Sequence, residues 1–151
     1  MGVPSSQLYG VDILAGRVSA VSAAVPNAHV AQADARALPF PDARFWLVTL
    51  FLVLSSQDSA AQLRTLAEAR RVLQPGGHIV VWEPRVPNPA NRATRLVRLK
   101  TLRRALGTDM SSQPVTVLPL LARRFARSPA RYRQLARLRF ICTHRLAHAR
   151  G

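Results

Sequence analysis

Cysteine is all but missing from this sequence: Cys142 stands alone, so no internal disulfide can form, and it has no partner at metal-binding spacing for a zinc finger. We read it as a buried structural thiol and expect no metal site. Long hydrophobic runs are missing as well. The longest, Phe45 to Leu54, is about half of the roughly 20 residues that a membrane-spanning helix needs. No charged-then-apolar signal segment opens the chain, so the sequence predicts a cytoplasmic protein with no membrane span. Acidic residues are scarce, 7 against 22 lysines and arginines. With 48% apolar residues the composition nevertheless excludes wholesale disorder, and 151 residues can bury about 70% of the unfolded surface in one globular unit.

The net charge of +15 is distributed unevenly. Residues 1–84 carry six arginines against six acids, whereas residues 85–151 carry sixteen basic residues against Asp109 alone. All the excess is therefore C-terminal, where it would suit an anionic substrate, a nucleic acid or another acidic partner. Arginine with abundant alanine and a single lysine, Lys100, is also what GC-rich coding produces, so the charge by itself names no partner.

Along the chain, Leu8 to Leu14 reads as a strand ending near Asp12, Arg17 to Val25 as a helix, and His29 to Ala33 as a second strand ending at Asp34. Leu38-Pro39-Phe40-Pro41-Asp42 is a stiff loop, since both prolines fix φ and withhold a donor. Phe45 to Leu54 is apolar without alternation, as a strand covered on both faces would be, and is expected at the centre of the sheet. Ser59 to Gln74 has helical periodicity and stops at a Pro75-Gly76-Gly77 turn before a buried strand, His78 to Trp82. This alternation predicts an α/β fold with a mostly parallel sheet and flanking helices. Further on, the pattern suggests a helix capped at Asn88-Pro89 and ended by Gly107. A strand at Val115 to Leu118, helices at Leu120 to Phe125 and Ala130 to Arg137, and a last strand at Phe140 to Leu146 follow.

Three segments between Tyr9 and Trp82 carry a resemblance: Gly10-Val11-Asp12; Ala33-Asp34-Ala35 with Leu38-Pro39-Phe40-Pro41-Asp42 and Phe45; and Arg71-Val72-Leu73-Gln74-Pro75-Gly76-Gly77. In this order and spacing the chain resembles the class I S-adenosylmethionine-dependent methyltransferases, in the branch called methyltransferase type 11. The resemblance implies a Rossmann-like sheet and S-adenosylmethionine as cofactor. Asp12 would accept hydrogen bonds from the ribose hydroxyls, Asp34 from the adenine amino group, the backbone of Ala35 would meet the ring edge, and Leu50 with Phe51 would line the methionine part. Read without the resemblance, the two acids are loop caps and Leu50 is core.

Two features depart from the family. The first strand and its glycine-rich loop have no counterpart, so the chain reads as an N-terminally truncated member, and Trp46 stands where an acid is usual. The family's first strand lies at the centre of the sheet. Without it, the edges of the first and third strands here would pair with each other or with a partner chain or homo-oligomer, or leave groups unsatisfied at about 1–3 kcal/mol each. Residues 1–84 are thus expected to be a partial cofactor-binding core, and 85–151 a basic, helix-rich part completing the same domain. Methyl transfer needs chiefly in-line positioning, so no catalytic residue is assigned, and His29, His78, His144 and His148 are given no role. The expected function is methyl transfer to an unidentified small-molecule acceptor. The alternative is a non-catalytic basic scaffold for an acidic or nucleic-acid partner.

Overall fold

The computed structural model describes residues 2–87, 91–118, 122–124 and 128–151. In chain order these form β1 (Tyr9–Asp12), α1 (Ala15–Ala24), β2 (His29–Gln32), β3 (Phe45–Phe51), α2 (Ser59–Arg71), β4 (Leu73–Pro84), α3 (Leu99–Leu106), β5 (Ser111–Val117), α4 (Pro129–Ala136) and β6 (Cys142–Arg150). Short 3-10 turns occupy Ser5–Gln7, Leu54–Ser56 and Arg139–Ile141. The strands make two sheets. β1 and β2 form a parallel pair, and the other four run in the order β3-β4-β6-β5, parallel between β3 and β4 and antiparallel beyond. The α/β architecture is therefore a mixed sheet with flanking helices, divided between β1 and β3.

The core lies between one face of the four-stranded sheet and helices α2 and α3. Ile79 and Val81 of β4 and Ala147 and Ala149 of β6 face Leu66 and Ala69 of α2 and Leu102 and Leu106 of α3. Asp58 starts α2 by accepting a hydrogen bond from the Ala61 amide at 2.8 Å, a carboxylate cap that also favours the positive end of the helix dipole. The helix then buries Ala61, Gln62, Thr65, Leu66 and Ala69, while Leu63, at the same helical spacing as Leu66 and Ala69, is 40% exposed and Leu73 lies beyond the helix in β4. Pro114 is accommodated because β5 is the outer strand, where the donor that proline lacks is not needed by a second neighbour.

Several expected boundaries move. Pro75-Gly76-Gly77 is not a turn ahead of the strand but part of β4, which pairs from Leu73 onward and bulges opposite Phe45 to Leu47. Glycine is needed there: Gly76 has φ +75°, and a Cβ on Gly77 would approach the Trp46 carbonyl to 2.8 Å. The expected helix ending at Gly107 is confined to α3, with Gly107 at φ +101° beyond its end, while its Asn88-Pro89 start lies outside the described residues. Of the Leu120 to Phe125 helix, residues 122–124 are helical and the rest lie outside the described residues. The last strand begins at Cys142 rather than Phe140, and Cys142 is buried at 1% exposure.

β3 was expected at the centre of the sheet and is instead an outer strand, with Trp46 62%, Leu47 45% and Phe51 53% exposed. Its second edge has no hydrogen-bonded strand among the described residues, and β1 does not take that place. The two sheets meet at the amino ends of β1 and β3. There Tyr9 packs on Phe40 and Phe45 with ring centroids 5.9 and 5.4 Å apart, and Arg44 donates to the Tyr9 hydroxyl at 3.1 Å.

Leu66 is fully buried in the core, so Leu66→Ala is expected to cost about 2–5 kcal/mol in urea unfolding. The exposed Trp46→Ala is expected to change stability by no more than about 0.5 kcal/mol.

Candidate cofactor site

β1 and β2 are parallel, so their carboxyl ends lie together, and the Ala33 amide donates to the Asp12 carbonyl at 3.1 Å across the gap between them. Asp12 is the last residue of β1 and Asp34 follows β2 by two positions. Both carboxylates sit at the strand ends where open α/β sheets hold ligands. Asp12 accepts from the Leu14 amide at 2.9 Å, and its other oxygen has only a long contact, 3.5 Å, with the exposed guanidinium of Arg17. Asp34 is more firmly held. It accepts from the Arg36 amide at 2.8 Å and from Arg36 Nε at 2.9–3.0 Å, and this guanidinium keeps its carboxyl below the usual aspartate range. Ala35 lies in the turn between them. Leu50, on β3, is 7% exposed and packs in the core, whereas its neighbour Phe51 is exposed.

The loop after Asp34 is held to α2 by a knot of charge. Arg71 donates to the carbonyls of Leu38 and Phe40 at 3.0 and 2.8 Å and to Asp42 at 2.8 Å, while Glu68 accepts from the Leu38 amide at 2.7 Å and from Arg71 at 2.7 and 2.8 Å. The guanidinium holds the Glu68 carboxyl below the ordinary glutamate range. This loop carries Phe40 to its contacts with Tyr9 and Phe45, so the knot positions β1 and the Asp12 end relative to β3.

At the end of β3, Leu52 turns the chain at φ +58° and donates to the Trp82 carbonyl at 3.0 Å. Glu83, 2% exposed, closes the turn by accepting from the Leu54 and Ser55 amides at 2.8 and 3.1 Å. Burial pushes the Glu83 carboxyl up, against the opposing pull of these hydrogen bonds. The sequence marks Glu83 only as an acid at the end of a strand. Nothing in its immediate neighbours reveals the inward orientation, which depends on residues 28 and 29 positions away.

The profile of the methyltransferase domain family Methyltransf_11 matches residues 2–81, more than half of the chain. The chain belongs to the methyltransferase domain family. This methyltransferase-domain chain is 35% identical over 104 residues to the ubiquinone/menaquinone biosynthesis C-methyltransferase UbiE of Ralstonia pickettii, covering 68% of this chain and 35% of that protein. It is 36% identical over 107 residues to UbiE of Burkholderia cenocepacia, with the same shares covered. The chain thus spans about a third of the length of these curated relatives. Among solved structures, a SAM dependent methyltransferase from Archaeoglobus fulgidus superposes with TM-score 0.70 at 16% identity, over 95% of this chain and 75% of that one. An S-adenosylmethionine dependent methyltransferase from Mesorhizobium loti superposes with TM-score 0.61 at 20% identity, over 97% and 81%. These share the fold.

Because Glu68 has a lowered folded pKa, its contribution to stability is present above the unfolded value and is lost as pH falls through the folded one. Urea midpoints measured downward from neutral pH are therefore expected to fall in the acid range more steeply for the native chain than for Glu68→Gln. Equal slopes would show that the Glu68–Arg71 pair carries no net stabilisation.

Proposed function

We propose that this methyltransferase-domain chain binds S-adenosylmethionine at the carboxyl ends of β1 and β2 and serves methyl transfer to a small-molecule acceptor. The observation that carries the reading is the placement of Asp12 and Asp34 at adjacent ends of two parallel strands. Their chemistry fits a nucleoside. The lightly engaged oxygen of Asp12 can accept from ribose hydroxyls, and Asp34, fixed by Arg36, can accept from an exocyclic amino group while the Ala35 backbone meets the ring edge. Leu50 then forms the wall behind the methionine part, with Phe51 as the side chain that faces outward. When bound, the cofactor supplies an electrophilic methyl group on a sulfonium. The protein's task is to hold the acceptor in line with it, for which the clamped turn after β3 offers a rigid border.

In this reading a strand from a partner chain or a second copy lies between β1 and β3. The unpaired edge of β3 and its exposed apolar side chains, encoded as if for burial on both faces, support that part. No helix among the described residues is long and apolar enough to cross a membrane, and the reading places the protein in the cytoplasm.

Calorimetric titration with S-adenosylhomocysteine tests the site. Saturable binding is expected, weakened at least about tenfold by Asp12→Ala and by Asp34→Ala, the loss of one charge-assisted contact in each. Binding that is unchanged in both variants, or absent from a folded chain, contradicts the reading.

A further inference from the structure

Of the four histidines, three sit at the amino ends of strands or in contact with each other. His29 opens β2, stacked on Tyr9 with ring centroids 4.6 Å apart. His78 Nδ1 and His148 Nε2 meet each other at 2.8 Å. His144 is placed differently. It lies across from Pro84, the last residue of β4, and therefore at the carboxyl ends of the parallel strands β3 and β4, where open α/β sheets hold ligands. Its ring stacks on Trp82 with centroids 4.3 Å apart, and Trp82 in turn meets Phe51, at the end of β3, edge to face at 6.4 Å. A continuous row of rings thus joins His144 to the outward side chain at the end of β3.

The hydrogen bonds around His144 fix its tautomer. The Thr143 hydroxyl lies 2.9 Å from His144 Nδ1 and 3.1 Å from the Thr116 carbonyl. A carbonyl can only accept, so the one hydroxyl hydrogen goes to Thr116, and the hydroxyl oxygen accepts from His144 Nδ1–H. In the neutral ring Nε2 then keeps its lone pair. Nε2 has no hydrogen-bond partner among the described residues and is not a buried, unsatisfied atom, so it is open to solvent. The Thr116 carbonyl is presented by a strained residue. Thr116 has φ +64°, costly for a β-branched side chain, and drops out of the ladder between the Val115–His144 and Val117–Cys142 pairs.

Pro84 and Val115, which flank His144 across the ladder, carry no charge, and neither does Trp82. Glu83 and Arg145 are paired with each other on the opposite face, and Arg85 turns its guanidinium to the Arg139 and Cys142 carbonyls. Burial lowers the pKa of His144 from the ordinary histidine value, so the ring is neutral and able to accept a proton at neutral pH. We propose that His144 Nε2 takes the proton released by the methyl acceptor, with Thr143 as the positioning residue that keeps this nitrogen free. The assignment rests on the methyl-transfer reading above, in which Phe51 borders the methionine part. As the acceptor's nucleophilic atom bonds to the methyl carbon, the carbon–sulfur bond of the sulfonium breaks and its electron pair stays on sulfur. The hydrogen on the nucleophilic atom passes as a proton to Nε2, leaving an imidazolium.

Nitrogen NMR of the histidine rings in the full chain reads the tautomer without any ligand. Native His144 is expected in the Nδ1–H form, and Thr143→Val is expected to move it toward the Nε2–H form. Isothermal titration with phenol, which carries a hydroxyl to donate, and with anisole, its methyl ether, tests the acceptor role. The native chain is expected to bind phenol at least about fivefold more tightly than anisole, and His144→Phe, which keeps a ring on Trp82, is expected to abolish the preference. The preference is also expected to vanish as pH falls through the His144 titration, because an imidazolium can only donate. Thr143→Val keeps the test open if His144→Phe does not fold. An Nε2–H ring in the native chain, equal binding of the two probes, no phenol binding, or a preference that survives His144→Phe would overturn the proposal. A parallel titration with S-adenosylhomocysteine separates the two readings: the expected phenol preference without S-adenosylhomocysteine binding would leave Nε2 as a hydrogen-bond acceptor and overturn its assignment to methyl transfer.

Discussion

The strand pair that carries the proposed cofactor site, β1 and β2, is seated by the Glu68–Arg71 knot. The four-stranded sheet has its own core against α2 and α3, while β1, β2 and α1 bury little: no residue of α1 is buried. The knot ties the loop after β2 to the well-packed helix, and through Phe40 it seats Tyr9 against Phe45. A small, weakly covered unit is thereby anchored to a stable one by charge-assisted hydrogen bonds and aromatic contact. The order of the proposed cofactor site is therefore set at a distance from Asp12 and Asp34.

The two ends of the sheet are built by different physics. At the amino ends, rings and a partly buried ion-pair network make the junction. At the carboxyl ends, carboxylates either point outward, as Asp12 and Asp34 do, or turn inward, as Glu83 does to satisfy the amides of the Leu54–Ser56 turn. A buried carboxylate is costly unless its oxygens are saturated by donors, and Glu83 has two backbone amides in that role. The outcome is a fixed turn at the end of β3.

Much of this was legible in the sequence, and the remainder fails for identifiable reasons. Asp12 and Asp34 could be located because each ends a short apolar run before turn-forming residues, which places them at strand ends whatever the tertiary structure. α2 was legible from its periodicity because a helix packed on one face records that face in its spacing. The apolar run of β3 suggested a central strand. It encodes burial on both faces, and its edge position reflects which strands are there to pair with it, a property of the sheet rather than of the run. Pro75-Gly76-Gly77 read as a turn because a bulge uses the same residues as a turn: only the pairing of Leu73 with Phe45 distinguishes them. The Arg71 knot and the inward Glu83 depend on partners about thirty residues away, and local pattern holds no record of them.

If the site-bearing pair of strands is anchored chiefly by the knot and the Tyr9 cluster, it should open without the rest of the molecule. Native-state hydrogen exchange of the unmodified chain measures this most directly. The account predicts that the paired amides of β1 and β2 exchange through a sub-global opening well below the free energy of global unfolding, while those of β4 and β6 exchange only with global unfolding. Equal opening free energies in both sheets would contradict it, because the two halves would then form one cooperative unit.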